Sequence, residues 1–285
     1  MSEYVLLTKF WNELERIPGI VENIAQQTKQ PIRWLLIDDG STDGGGDLFI
    51  ELLKKEGIRA LISKLPQKTK GNLDTLGRAY SFAFKEHREE LSKLNPGYLG
   101  LIDIDTRVPS NYFEHMTNVM DSDKSLGCIN AQIKGERGPT DWPRGSGKVT
   151  RWTVIESFDE FWDLDADSFL NVKATRMGLR LKVFDDLFLE AAPSQVMSKK
   201  GLFRLGRVNY YEQKHPLLVF QTAFFRLIQR RHGTEYLRGY FQEFLRGTWI
   251  CSDRDIRYYY SLEYRIRSKM QRVLGIGRHR WPKAG

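Results

Sequence analysis

Cysteine is nearly absent from this chain: only Cys128 and Cys251 occur in 285 residues, far apart and without ligand-like neighbours. That excludes a disulfide framework and a cysteine-based zinc site, and it predicts reduced thiols in a cytoplasmic protein. Long hydrophobic runs are missing too. A membrane span needs about 18 consecutive apolar residues, and the best candidate, Pro216 to Ile228, is interrupted by Gln221, Thr222 and Arg226. Glu3 and Lys9 bracket a short apolar run, so the N-terminal stretch does not read as a signal peptide. No G-x-x-x-x-G-K-[ST] occurs, and Gly44-Gly45-Gly46 lacks the lysine a phosphate-binding loop requires. Neither an internal repeat nor a low-complexity tract is visible.

What is present is unevenly distributed. The net charge is +8, yet residues 226–285 alone hold 14 Lys/Arg against 5 Asp/Glu, and the preceding residues hold 30 against 31. The whole excess therefore lies in the last fifth of the chain. Such a block suits nucleic acid, anionic lipid or an anionic acceptor, or it is a solvated helix face.

The first half alternates strand and helix patterns. Tyr4–Leu7 reads as a strand, and residues 13–27 form an amphipathic helix with Ile17, Ile20, Val21 and Ile24 at helical spacing. Residues 33–37 (RWLLI) form a buried strand, 46–55 a helix, 58–63 a third strand and 75–91 a third helix. Residues 98–102 (YLGLI) are again a buried strand. This alternation predicts a parallel sheet with right-handed crossovers. Residues 135–148, with four Gly and two Pro, read as a loop or mobile segment. From Pro216 onward the pattern is helical, with aromatics interleaved among arginines.

Two acidic clusters fall at the ends of predicted parallel strands, the edge at which open α/β sheets bind ligands. The first is Asp38-Asp39-Gly40-Ser41-Thr42-Asp43, whose Gly-Ser turn holds a carboxylate suited to a base N–H or a ribose hydroxyl; Ser41 or Asp43 would equally cap the next helix. The second is Asp103-Ile104-Asp105, about 60 residues on, two acids able to share a hard dication with water and diphosphate oxygens. A lone D-x-D is a weak signal, and its position after a buried strand strengthens it.

The order YVLLTKFWNE, WLLIDDGSTD, YLGLIDIDTRVPSNYFE resembles the family-2 glycosyltransferases of the GT-A fold over residues 4–120. The resemblance implies a mostly parallel, Rossmann-like sheet flanked by helices. It implies that Thr8 and Asp39 contact the nucleotide base, Asp103 the ribose and Asp105 a Mn2+ or Mg2+ ion. Pro109 followed by a helix fits the same pattern. Lys9-Phe10-Trp11 departs from it, because the family usually has Pro and a small residue before Asn-Glu. Between the acid clusters Lys68, Lys70 and Arg78 flank Gly71 and Gly77, and Arg78 is the better nucleotide-side candidate. The family's general base opens a helix 11 residues before a Gly. Counting back from Gly178 gives Asp167, with Asp165 the competing carboxylate. A helix N-terminus would keep such a base ionised, within reach of an acceptor hydroxyl. Where relatives carry a metal-binding His, this chain has Glu190. His215 reads as structural.

The expected organisation is a nucleotide-sugar-binding half (residues 1–110), an acceptor-binding half of the same domain (111–195) and a basic, aromatic helical extension (196–285). The expected activity is metal-dependent, inverting hexosyl transfer from a UDP-, GDP- or dTDP-sugar to a hydroxyl of a glycan or lipid-linked acceptor, in polysaccharide or glycolipid biosynthesis. An anionic membrane surface is a further expected partner, placing the protein in the cytoplasm or peripherally at the inner face of the membrane. Nucleic acid is not expected, because it leaves the three acid clusters unexplained and their carboxylates would repel a phosphate backbone. A catalytically inactive relative that binds nucleotide sugar or serves as an interaction module is the alternative.

Overall fold

The structure is a computed structural model that describes residues 2–67, 76–136, 138–161, 165–192, 198–229, 231–274 and 281. Lys68, Lys70, Gly71 and Thr75 lie outside the described residues. The chain divides into two compact units, Met1–Ala192 and Pro193–Gly285.

The first unit is built on seven strands: β1 (Tyr4–Phe10), β2 (Arg33–Asp38), β3 (Ala60–Lys64), β4 (Tyr98–Leu101), β5 (Leu126–Ile133), β6 (Val149–Arg151) and β7 (Arg180–Leu189). Their order across the sheet is β3-β2-β1-β4-β6-β5-β7. β1 pairs in parallel with β2 and β4, β2 with β3, and β5 with β7, whereas β6 runs antiparallel to both its neighbours. The helices of this unit are α1 (Ile17–Ala25), α2 (Gly45–Lys55), α3 (Leu76–Glu86), α4 (Arg88–Leu94), α5 (Tyr112–Ser122), α6 (Trp152–Ile155) and α7 (Ala166–Arg176).

Both faces of the central strands are covered, which is why β1, β2 and β4 read as continuous apolar runs rather than alternating ones. On one face Tyr4, Leu6, Phe10, Trp34 and Leu36 pack against Ile17, Ile20 and Ile24 of α1, Phe49 of α2 and Phe113 of α5. Tyr4 stacks on Phe113, and Trp34 meets Phe49 edge to face. β1 lies between β2 and β4, so the acid clusters that follow β2 and β4 both fall at the C-terminal ends of these parallel strands, where open α/β sheets bind ligands.

Three elements differ in extent from the sequence pattern. β1 runs on to Phe10 because Lys9, unlike proline, presents an N–H to the ladder and pairs with Ile37. The helix expected over 13–27 opens as a short 3-10 turn, Leu14–Arg16, before α1 with Pro18 in its first turn. The expected helix 75–91 is two helices, because His87 leaves helical geometry at φ −106°, ψ 13°.

The second unit holds α8 (Lys199–Tyr211), α9 (Pro216–Ile228), α10 (Gly233–Arg246), α11 (Arg254–Tyr259) and α12 (Leu262–Leu274). Its core is Leu202, Val219, Ala223, Tyr236 and Tyr240. His215 is structural: it caps α9, its Nδ1 accepting from the Leu217 N–H at 3.3 Å. Among the described residues no helix is long and apolar enough to cross a membrane.

Candidate functional site

Asp38 and Asp39 end β2 but do different work. Asp38 turns inward and accepts the Ser41 N–H at 2.8 Å, fixing the turn. Gly40 has no substitute there: its φ of +81° lies in the left-handed region, and a Cβ would meet the Pro66 carbonyl oxygen at 2.6 Å. The turn is then laced to the loop after β1. Asn12 N–H donates to the Ser41 hydroxyl, Thr42 N–H to Asn12 Oδ1, and Leu14 N–H to Asp43, each within 3.0 Å. Asp43 also accepts from Gly45 N–H at 2.9 Å, supporting the start of α2.

Asp39 is buried, and its carboxylate meets Lys9 Nζ at 2.7 Å. This ion pair was not foreseen; Lys9 stood out in the sequence only as a departure from the family pattern. Thr8, the other predicted base contact, is fully buried. Its hydroxyl donates to the Ile102 carbonyl and accepts from the Trp34 indole, both at 3.0 Å. Those bonds tie β1 to β2 and to the end of β4, and they occupy the hydroxyl on both sides.

After β4 the chain turns through Asp103, Ile104 and Asp105. Asp103 N–H donates to the Ser146 hydroxyl at 3.0 Å, and Ser146 in turn meets the Thr106 hydroxyl at 2.7 Å. The Asp103 side chain is exposed on one side, while protein surrounds its carboxylate on the others. That surrounding mass disfavours its charged form and pushes it up to about 6; Asp105 adds to the rise, and Ser146 and Lys9 oppose it.

Asp165 and Asp167 share the start of α7 and are separated by geometry. Asp165 is the N-cap, accepting the Ser168 N–H at 3.3 Å. Asp167 lies in the first turn, where Gly145 approaches so closely that a Cβ there would fall 2.3 Å from Asp167 Oδ2. Desolvation pushes the Asp167 carboxyl up to about 7. Lys148 and the Gly145 N–H pull it back, while Asp165 and Asp103 push it further up. Lys148 is completely buried, and its ammonium donates to the Asp167 carbonyl at 2.6 Å. Burial holds this lysine below its ordinary range. Tyr80 of α3, also buried, is held well above the ordinary phenol range by desolvation and then by Asp167 and Asp103.

These couplings bring the acids of β2, β4 and α7 together. Lys9 joins Asp39 and acts on Asp103, Asp105 acts on Asp103, and Asp103 acts on Asp167. Two predicted residues are not shown joining this group. Arg78 is exposed on the first turn of α3, two residues from Tyr80. Glu190 is exposed, and its carboxylate is paired with Lys134 at 2.8 Å, which holds it below the usual range. Only its backbone approaches the D-x-D segment, bridging Arg107.

Sequence reading missed Ser146, Gly145, Lys148 and Tyr80. The first three sit in residues 145–148, expected to be loop or mobile, yet Ser146, Gly147 and Lys148 are buried and Gly145 is half-buried. Closely spaced glycines before a strand were the available signal, since they permit the close approach of backbone to carboxylate seen at Gly145.

Among the described residues no group of three or more His, Cys, Asp or Glu assembles to hold a metal. Two carboxylates, Asp103 and Asp105, with no His or Cys grouped with them among the described residues, nonetheless fit Mg2+ or Mn2+. Such ions take one or two carboxylates and complete their shell with water and substrate phosphates.

The family model for glycosyl transferase family 2 matches residues 6–188. No curated protein matches the chain. Among solved structures, the mannosyltransferase PcManGT from Pyrobaculum calidifontis in complex with GDP-Man and Mn2+ is 15% identical with a TM-score of 0.57. The match covers 96% of this chain and 85% of that one. S. aureus TarS 1–349 in complex with UDP-GlcNAc is 14% identical with a TM-score of 0.55, covering 73% of this chain and 65% of that one. Against the longer TarS chain the coverage is 39% of its length at a TM-score of 0.53. The chain thus spans less than two thirds of the TarS structures it resembles, and at such identities the likeness is one of fold.

Proposed function

We propose, from the premise that this chain belongs to glycosyl transferase family 2, that it is a metal-dependent, inverting transferase moving a hexose from a nucleoside-diphosphate sugar to an acceptor hydroxyl. Family membership and the GT-A architecture make it a glycosyltransferase in kind. The observation that supports the finer reading is the meeting of Asp39, Asp103, Asp105 and Asp167 at one sheet edge, although they are spread over more than a hundred residues of sequence.

In this reading Asp39, with Lys9 against it, faces the nucleoside, and Asp103 takes the ribose side. Asp105 would hold Mn2+ or Mg2+, a Lewis acid that when bound offsets charge on the departing diphosphate. Asp167 accepts the proton of the attacking hydroxyl. A base raised to about 7 suits that work, because it is ionised near neutral pH yet holds a proton far better than an ordinary carboxylate. Asp165 caps the helix that carries the base. The solved relatives bind donors of the same class, GDP-Man in one and UDP-GlcNAc in the other, which supports a nucleotide sugar without choosing between them. The acceptor is a glycan or a lipid-linked hydroxyl.

The test is thermal stabilisation by UDP, GDP and dTDP with Mn2+, followed by a panel of sugar nucleotides assayed for slow release of nucleoside diphosphate. At least one nucleotide should stabilise the chain with metal and not without it, and Asp105→Ala should abolish the effect. Stabilisation without release from any donor would leave the inactive relative standing, and no stabilisation by any nucleotide would overturn the assignment.

A further inference from the structure

In a water-soluble helix pair the apolar side of each helix is expected to face its partner. α9 violates this. Leu218, Val219 and Ala223 do face the core of the second unit, but the opposite side is also apolar. Leu217, Phe220, Phe224 and Ile228, at helical spacing along one face, are 50–62% exposed. The face does not end at α9. Phe220 packs on Phe241 of α10 at 5.5 Å, Phe241 meets Phe244 at 6.3 Å, and Phe244 and Leu245 are exposed in turn. Isolated exposed apolar residues are ordinary; a contiguous strip of phenylalanines crossing two helices marks an interaction surface.

α12 repeats the pattern with charge added. Ile266, Met270, Val273 and Leu274 form an exposed stripe, and exposed Arg265, Arg267 and Lys269 flank it. A helix with an apolar stripe and basic flanks is the form that lies in the plane of a membrane interface. The composition agrees, with 14 basic against 5 acidic residues from Arg226 onward.

We propose that the second unit docks on an anionic bilayer surface. The phenylalanine face of α9 and α10 enters the boundary between headgroups and acyl chains, and the basic side chains of the unit meet the headgroups. Charge decides between occupants. A second copy of the chain would bring together two surfaces carrying the same basic excess, whereas duplex nucleic acid would answer the charge and leave the phenylalanines in water, and single strands would leave the exposed aliphatic Leu217, Ile228 and Leu245 unburied. An anionic bilayer answers both features. With no crossing helix among the described residues, the attachment is to the surface. The inference does not rest on the proposed transferase reaction.

The experiment is flotation of the full chain with vesicles of phosphatidylcholine alone and of phosphatidylcholine with phosphatidylglycerol at about 7:3, without nucleotide or metal. The chain should float with the anionic vesicles and at least tenfold less with the neutral ones, and raising salt from about 0.05 to about 0.5 M should release most of it. Phe220→Ser with Phe224→Ser should lower flotation about tenfold or more at low salt, with the circular dichroism spectrum unchanged. Should that variant fail to fold, the salt response of the native chain still decides: indifference to salt and to lipid charge overturns the proposal. So does absence of flotation, or a self-association that the phenylalanine substitutions abolish while vesicles bind nothing.

Discussion

At Asp167 the needs of the fold and of the proposed reaction pull in opposite directions. Its carboxyl is held at about 7, by desolvation first, against about 3.9 in an unfolded chain. A raised carboxyl contributes stability that is complete below the unfolded value and is lost as pH rises through the folded value. Asp167→Asn should therefore raise the melting temperature at pH 8, by an amount corresponding to roughly 2–4 kcal/mol after discount for partial exposure, and change it little at pH 4. The same substitution should lower turnover by about 10²-fold or more with donor affinity nearly unchanged. In the native chain turnover should climb with pH and level off above about 7, because the base acts only when ionised. An equal loss of donor binding in Asp167→Asn, or a melting difference that ignores pH, would remove Asp167 from this role. Gly145→Ala tests the same carboxylate from outside: a Cβ 2.3 Å from Oδ2 forces it to move, and a displacement of that order costs about 10²-fold in rate while leaving nucleotide-dependent stabilisation in place.

The acids were legible in the sequence, whereas the groups that tune them were not. Asp39 and Asp103 advertise themselves as carboxylates at the ends of parallel strands, and Asp167 by its spacing from Gly178, since a helix start alone would suit a mere cap such as Asp165. Lys9, Lys148 and Tyr80 carry no such signal. A lysine after an apolar strand looks like an ordinary strand terminus, and a tyrosine within a helix looks like core. Their effect on the carboxylates exists only once β1, β6 and α3 are set side by side. Thr8 was legible as a polar residue on the first strand, but not the bonds of its hydroxyl to Ile102 and Trp34, which need the three strands side by side.

At the scale of elements, the sheet was readable because both faces of β1, β2 and β4 are buried and the apolar runs of β2 and β4 end abruptly in acids. β6 was not readable. It is three residues long, runs against its neighbours and follows a glycine-rich run. α8 lies within the extension expected to be helical, but its crossing with α10 was not readable. In the structure Gly206 is what lets α8 and α10 cross: a Cβ there would lie 2.0 Å from the Tyr236 carbonyl oxygen, and one on Gly239 would lie 2.0 Å from that of Phe203. Backbone meets backbone at both points, so neither contact can be relieved by a side chain swinging away. Gly206→Ala should destabilise the second unit by about 1–3 kcal/mol or more, as overpacking does, read as a lower urea midpoint. An unchanged midpoint would mean that α8 and α10 do not cross there.

The molecule as a whole joins two units with separate cores, one a sheet between helices and the other helical. Proteins of this build depart from two-state unfolding, so calorimetry should resolve two transitions. The proposed nucleotide and metal ligands all belong to residues 1–192. A nucleoside diphosphate with Mn2+ at about a hundredfold excess over Kd adds about 2.7 kcal/mol to the state that binds it, or roughly 5–10 °C for a unit of this size. That rise should appear in one transition only, and Asp105→Ala should cancel it. Gly206→Ala should lower the other transition and leave the nucleotide response intact. Were both substitutions to move a single shared transition, the two units would be unfolding as one body, and the basic helices could not be regarded as a separable module carried by the catalytic fold.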